Sequence, residues 1–339
     1  MDVRPPSFGL SSPAPVEEPR RGDGLGSSGE APRSLSIDGI IAERLKDRLE
    51  DPVSRLFRYP LARWIVRGLV HTSITPDQVT LVQPFLAAVS AWLITSEEPW
   101  RLALAVAIFE LRSILDCVDG TLARAKNLSN PWGHAVDGIA DWLSVSFLYV
   151  GIALHFQAHP PPGPWGAPLV RNGILAAALF QGALRSFAAD HYKQKYVSIF
   201  ARGRDATVES LRAKLLALGP ESGFFARAEV RIGQLEHLAF ERAWPDPRRS
   251  QASSTEEQVR ELRRDARSPL TRLIFGLWSL SNGDAFVTLV CASVLAGRLW
   301  EGQVFFASAG LLWIGGVIAL NGWFLRRASR RGLTAESAR

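Results

Sequence analysis

Four aspartates at helical spacing, set between apolar runs of bilayer length, constrain this chain more than any other feature. Residues 116–141 read D-x2-D-G-x2-A-R-x8-G-x3-D-x3-D. Asp116 and Asp119 are three apart and share a helix face, as do Asp137 and Asp141, four apart. Between the pairs, Asn127-Leu128-Ser129-Asn130-Pro131 has turn chemistry. The segment is therefore expected to be a helical hairpin whose two acidic faces meet. Four carboxylates in low dielectric repel one another unless they are protonated or bind cations. All-oxygen ligands favour hard ions, Mg2+ or Mn2+, and a carboxylate cage of this size holds two. Two ions side by side would clamp a phosphate, which points to chemistry on a phosphorylated substrate.

The small residues suit that reading. Gly120 and Ala123 leave a bare strip beside the acids, where a nucleotide can approach the backbone. Arg124, one turn past Gly120, offers a fixed positive charge. Gly133 and Gly138 allow close helix contact.

The rest of the chain reads as an all-α integral membrane protein. Hydrophobic residues make up 47% of its 339 residues. Six stretches are near span length: about 78–96, 100–121, 135–156, 170–190, 277–297 and 302–325. The formal net charge is +6, which in a chain with spans suits anionic headgroups rather than nucleic acid. Of the 39 Lys and Arg, 34 fall in residues 1–76, 124–126, 191–272 and beyond 325. That bias puts both termini and the acidic hairpin in the cytoplasm of a multi-pass protein of the cell (inner) membrane. No signal peptide is expected at the polar start. Cys117 and Cys291 lie in apolar segments and read as small core residues.

Six regions follow. Residues 1–37, rich in Pro, Gly and Ser, are expected to be a disordered tail. Residues 38–72 carry an apolar stripe with Arg and Lys between and are expected to be an interfacial amphipathic helix. Residues 73–195 form the catalytic membrane half and 196–270 a cytoplasmic helical insertion. Residues 271–326 supply the last two spans, and 327–339 a basic tail. Within the fourth span Arg185, followed by Lys193, is a candidate reader of a phosphorylated acceptor. Asn282 and Asp284 are polar enough to line the same cavity.

The motif resembles that of the CDP-alcohol phosphatidyltransferase family (class I). Asp116, Asp119, Gly120, Ala123, Arg124, Gly133, Asp137 and Asp141 fill all eight signature positions. Ser73–Thr80 is similar to the family's Pro-Asn-x-x-Thr segment, with Asp77 where Asn is usual. The resemblance implies that an alcohol attacks the β-phosphorus of a CDP-linked lipid and CMP leaves. It further implies metal on Asp116, Asp119, Asp137 and Asp141, Asp141 as general base, the CDP moiety against Gly120, Ala123 and Arg124, and a homodimer. Which alcohol is accepted stays open: glycerol 3-phosphate, serine, inositol phosphate or another polyol phosphate.

Two other classes use intramembrane acids. An ion-coupled transporter is expected to show repeated, broken helices in two halves. An intramembrane prenyltransferase is expected to show two separated Asp-rich motifs and more spans. This chain has one dense cluster in one hairpin.

Overall fold

A computed structural model describes residues 45, 48–128, 131–219, 223–241 and 259–336; side chains at 131–135, 224–226, 228–229, 241 and 329–336 are excepted. The tail at 1–37, and most of what precedes residue 48, lies outside the described residues. Those described form helices and turns only.

A π-helical turn, Ser54–Arg58, leads into α1, Tyr59–Leu69. α2, Pro76–Ile94, begins at a capping box: Thr75 accepts from the Gln78 amide and Gln78 reaches back to the Thr75 amide. α3, Pro99–Ala125, and α4, Pro131–Ala158, each open on Pro, whose missing N–H costs nothing in a first turn. α5, Pro168–Arg202, is 35 residues long and stops at Gly203, where φ is +69°. Asp205 caps α6, Ala206–Ala217, and α7 spans Phe224–Glu241. Ser268 caps α8, Pro269–Ser279, and Asn282 caps α9, Gly283–Leu295. α10, Leu299–Phe305, runs through a π-helical turn into α11, Leu311–Glu336.

Three of these are long and apolar enough to cross a bilayer: Pro76–Ile94, Val136–Ala158 and Leu299–Ala328. α8 and α9 together make a fourth, bent by 52° at the break between them. The expected spans at 100–121 and 170–190 lie within α3 and α5, which have the length but carry more charge. Arg112, Asp116, Asp119, Arg185 and Asp190 sit on them, so the charge that dilutes their hydropathy includes the acids of the expected site. The expected span at 277–297 is broken, because Ser281-Asn282-Gly283 stops one helix and caps the next.

Packing explains why α2, α3 and α4 assemble. A Cβ on Gly151 of α4 would lie 2.5 Å from the Ala91 carbonyl oxygen of α2, so only glycine allows this approach. Ala87, Leu93, Ile94, Ala105, Phe109, Leu148 and Ile152 fill the core between the three helices. α1 buries Ala62 and Val66 against Val79, Ile114, Val118 and Leu122. Leu56 and Phe57 of the π-helical turn and Trp64 of α1 are exposed. Exposed Leu81, Phe85, Trp92, Leu104, Val150 and Leu312 give the bundle an apolar exterior, as a lipid solvent requires.

A third cluster holds the C-terminal half of α5. Tyr192, Tyr196 and Ile199 pack with Leu262, Ile274, Trp278 and Ile314. Asn321 Oδ1 accepts from both Tyr196 Oη and Trp278 Nε1, at 2.5 and 2.9 Å.

Candidate active site

α3 and α4 form the hairpin that the spacing of the acids predicts. The last turn of α3 closes with Leu128 N donating to Ala123 O at 3.0 Å. Asn127 takes φ of 54°, the left-handed conformation that a short polar side chain tolerates at a helix end. Lys126 Nζ donates to the carbonyls of Thr72 and Ile74, both at 2.7 Å, and fastens this turn to the loop before α2. Ser129 and Asn130 lie outside the described residues.

The hairpin brings three of the four acids together. Carboxylate oxygens of Asp116, Asp119 and Asp137 lie within 4.8 Å of one another. Asp119 is the most constrained. Its Oδ2 accepts from Thr80 Oγ1 and Gln83 Nε2, both at 2.7 Å, and its Oδ1 from the Gly120 amide at 2.5 Å. Asp141 stands outside that tight set and pairs with Arg112 Nη2. The same nitrogen is 3.8 Å from Asp116. Arg112, one turn before Asp116, thus bridges an acid on each arm of the hairpin.

The donor set fits a divalent cation. It is all oxygen, it is compact, and Asp137 Oδ1 is buried with no hydrogen-bond partner among the described residues. A buried carboxylate oxygen without a donor is costly unless something positive sits beside it.

The acids open onto a cavity of about 1050 Å³. Gly120, Ala123, Arg124 and Gly138 line one side. A Cβ on Gly120 would meet only Arg124 Nη1, at 3.6 Å, whereas nothing lies within 4 Å of where a Cβ on Gly138 would be, so the close helix contact expected at Gly138 is not made among the described residues. Arg124 is exposed, with Nη2 donating to Thr121 Oγ1 at 3.2 Å. Gly133 lies in the first turn of α4, where side-chain surroundings are outside the described set.

The two expected acceptor residues part company. Lys193 lines the cavity and pairs with buried Glu50 at 2.5 Å. Arg185 does not line it. Its side chain is buried elsewhere along α5, and Nε and Nη1 have no hydrogen-bond partner among the described residues.

Several cavity residues were not marked by the motif. Asp284, at the start of α9, is a further carboxylate on the wall. It sits 3.8 Å from Arg58, whose guanidinium is fully buried and holds both oxygens of Glu110, at 2.6 and 2.8 Å. Arg58 also donates to Thr288 Oγ1 at 2.9 Å and Ser54 Oγ at 3.2 Å. The helix before the membrane is therefore keyed into α3 and α9. The helices after residue 196 also contribute: Thr207, Ser210, Leu211 and Lys214 from α6, and Ile232, Gly233, Glu236 and His237 from α7. Nothing in the spacing of a loop region marks residues that fold back over a distant hairpin.

Comparison with known proteins matches this geometry. The sequence profile described as CDP-alcohol phosphatidyltransferase matches residues 73–218. The chain is 39% identical over 105 residues to the bifunctional IPC transferase and DIPP synthase of Rubrobacter xylanophilus, covering 31% of this chain and 23% of that protein. It is 29% identical over 134 residues to the ceramide phosphoethanolamine synthase of Drosophila melanogaster, 38% of this chain and 33% of that one. Against the CDP-diacylglycerol–glycerol-3-phosphate 3-phosphatidyltransferase of Escherichia coli K12 it is 27% identical over 144 residues, 42% of this chain and 73% of the enzyme. The chain thus spans a third or less of the first two relatives. The matched segment holds the hairpin, all eight motif positions and α6, and over residues 73–218 this chain is similar to the CDP-alcohol phosphatidyltransferase family.

Proposed function

We propose that this protein transfers a phosphatidyl-type group from a CDP-linked lipid, such as CDP-diacylglycerol, to the hydroxyl of an alcohol acceptor, releasing CMP for phospholipid synthesis. One observation carries the reading: three carboxylates within 4.8 Å of one another open onto a large cavity beside a bare glycine strip. Asp116, Asp119 and Asp137 are the holders of divalent metal, with Asp141 completing the set when substrate draws it from Arg112. Two Mg2+ or Mn2+ ions, when bound, supply the positive charge that spreads over the diphosphate and the leaving phosphate.

The chain's own residues do the rest. Gly120 and Ala123 let the cytidine and its phosphates lie against α3, and Arg124 reaches them with a guanidinium. Asp141 takes the proton of the acceptor hydroxyl as the oxygen attacks the β-phosphorus. A phosphorus–oxygen bond forms, the bond to CMP oxygen breaks, and CMP leaves with the electron pair. Arg112 keeps Asp141 aimed along the hairpin until then, a charge-assisted contact with fixed geometry. Lys193, beside Glu50, is the candidate contact for a phosphate on the acceptor.

Residues 73–195 act as the catalytic membrane half, 271–326 close the bundle, and 327–339 form a basic tail. The six expected spans, the inner membrane, a cytoplasmic site and a homodimer belong to the same proposal, supported by the Lys and Arg bias and the family resemblance. The test is CMP release from CDP-diacylglycerol by purified protein with a panel of acceptors. Release that vanishes in EDTA and returns with Mg2+ or Mn2+ supports the reading. Full release in chelator, or none with any acceptor, defeats it.

A further inference from the structure

Residues 219–270 lie beyond the family match, yet one of their helices reaches the cavity. α7 is seated on the C-terminal half of α5 by three contacts. Tyr192 Oη donates to the Phe240 carbonyl at 3.2 Å, and the Phe240 ring lies 5.4 Å from the His191 ring and 5.8 Å from that of Tyr192. α6 and α7 close on each other at Gly233, where a Cβ would lie 3.0 Å from Leu211 Cδ1. The face of α7 so presented carries Gly233, Glu236 and buried His237 into the cavity. Ser210 and Lys214 of α6 and His191 of α5 line the same cavity.

The chemistry of this wall differs from that of the acid cluster. The Asp side is anionic and oxygen-rich, suited to metal and diphosphate. The α7 side alternates acceptor and donor: a carboxylate at Glu236, imidazoles at His191 and His237, a hydroxyl at Ser210 and an ammonium at Lys214. His191 and Lys214 are within electrostatic reach of Glu236, and burial holds its carboxyl above the usual range against their pull. Such a mixture hydrogen-bonds hydroxyls in both senses and offers little to acyl chains.

We propose that the cavity face of α7, centred on Glu236 and His237, selects the acceptor and reads the hydroxyls of a polyol. This rests on the transferase reading of the Asp hairpin and deepens it by assigning the part of the cavity that α7 lines. Glu236 and His237 are positioning and specificity residues: they hold the far hydroxyls so that the reacting one faces Asp141. Hydrogen-bonding groups discriminate strongly, because an acceptor lacking the matching hydroxyl forgoes their bonds.

The full chain is assayed in nanodiscs with CDP-diacylglycerol and, in turn, glycerol 3-phosphate, inositol, inositol 1-phosphate and serine. Glu236→Gln is expected to raise the acceptor KM about tenfold, the size of one charge-assisted hydrogen bond, with the donor KM unchanged. Leu235→Ala, exposed on the same helix, is expected to leave both unchanged. An unchanged acceptor KM in Glu236→Gln, a parallel rise in both KM values, or serine as the sole acceptor each overturns the proposal. Should Glu236→Gln fail to fold, hydrogen exchange on the unmodified chain decides. Saturating polyol acceptor is expected to slow amide exchange across 231–238, and no slowing overturns the assignment. Unmodified protein that releases no CMP with any acceptor defeats the transferase reading instead, and the exchange measurement still reports on the wall.

Discussion

Arg112 on α3 holds Asp141 on α4, and this cross-hairpin pair engages the one motif acid that stands outside the tight set of three. The guanidinium is buried and the carboxylate about half exposed. An arginine that binds one acid in the pair and stands near another has two consequences that can be measured.

Asp141→Asn keeps the shape and removes the charge. Turnover is expected to fall by about 10²- to 10⁴-fold, the usual contribution of a general base, while donor KM changes little because Asp116, Asp119 and Asp137 remain. Arg112→Gln is expected to lower turnover as well and to reduce thermal stability, since Asp116 and Asp141 then face each other uncompensated. Steady-state kinetics and detergent melting curves check both. Near-normal turnover in Asp141→Asn would transfer the base role to another group.

The clamp on Asp119 predicts a metal phenotype. Thr80→Val and Gln83→Leu each remove a hydrogen bond to Oδ2. Partners that orient a ligand typically change metal affinity about 10- to 100-fold. The Mg2+ concentration for half-maximal CMP release should rise in that range and Thr80→Ser should restore it. A metal titration superimposable on the unmodified protein would mean that Asp119 does not ligate.

The contact of Gly151 with Ala91 predicts a packing phenotype far from the chemistry. Gly151→Ala forces a methyl to within 2.5 Å of a backbone oxygen, so α2 and α4 must separate. Overpacking of this kind costs about 1–3 kcal/mol or more. The melting midpoint in micelles should drop, with donor and acceptor KM little changed in the fraction that remains folded. An unaltered midpoint would show that the two helices have room to move.

Orientation is open to labelling. Trp165, half exposed in the turn between α4 and α5, and Arg204, exposed after α5, lie at opposite ends of α5. A cysteine at 165 should react only from outside the cell and one at 204 only from the cytoplasm. The native Cys117 and Cys291 are buried and give little background. Cytoplasmic reaction at 165 would invert the topology and the side on which the acids open.

The hairpin was legible because period and chemistry coincide there: acids three and four apart, a turn between them, apolar flanks. The sequence also marked α2, α4 and the last span, whose apolar runs are unbroken. It blurred α8 and α9, since Ser281-Asn282-Gly283 interrupts a run whose composition still reads as one span. Arg112 was visible as an intramembrane charge, but its bond to Asp141 depends on how two helices pack. Thr80 and Gln83 look like ordinary polar residues in a first span until α2 lies against α3. Arg185 had the right type and depth for an acceptor contact, but its buried side chain is not among those that line the cavity, whereas Lys193 is. The wall supplied by α7 could not be read at all, because a tertiary contact between residues 192 and 240 sets it.

Lys126 has a reach beyond its own turn. By gripping the carbonyls of Thr72 and Ile74, it makes the helix that precedes the membrane and the tip of the acidic hairpin one mechanical piece. On the proposed interfacial placement of α1, the depth of the acids below the bilayer surface is then a fixed dimension of the protein. A donor has to bring its diphosphate to that depth, and membranes of different thickness would present the same phosphate to the same carboxylates.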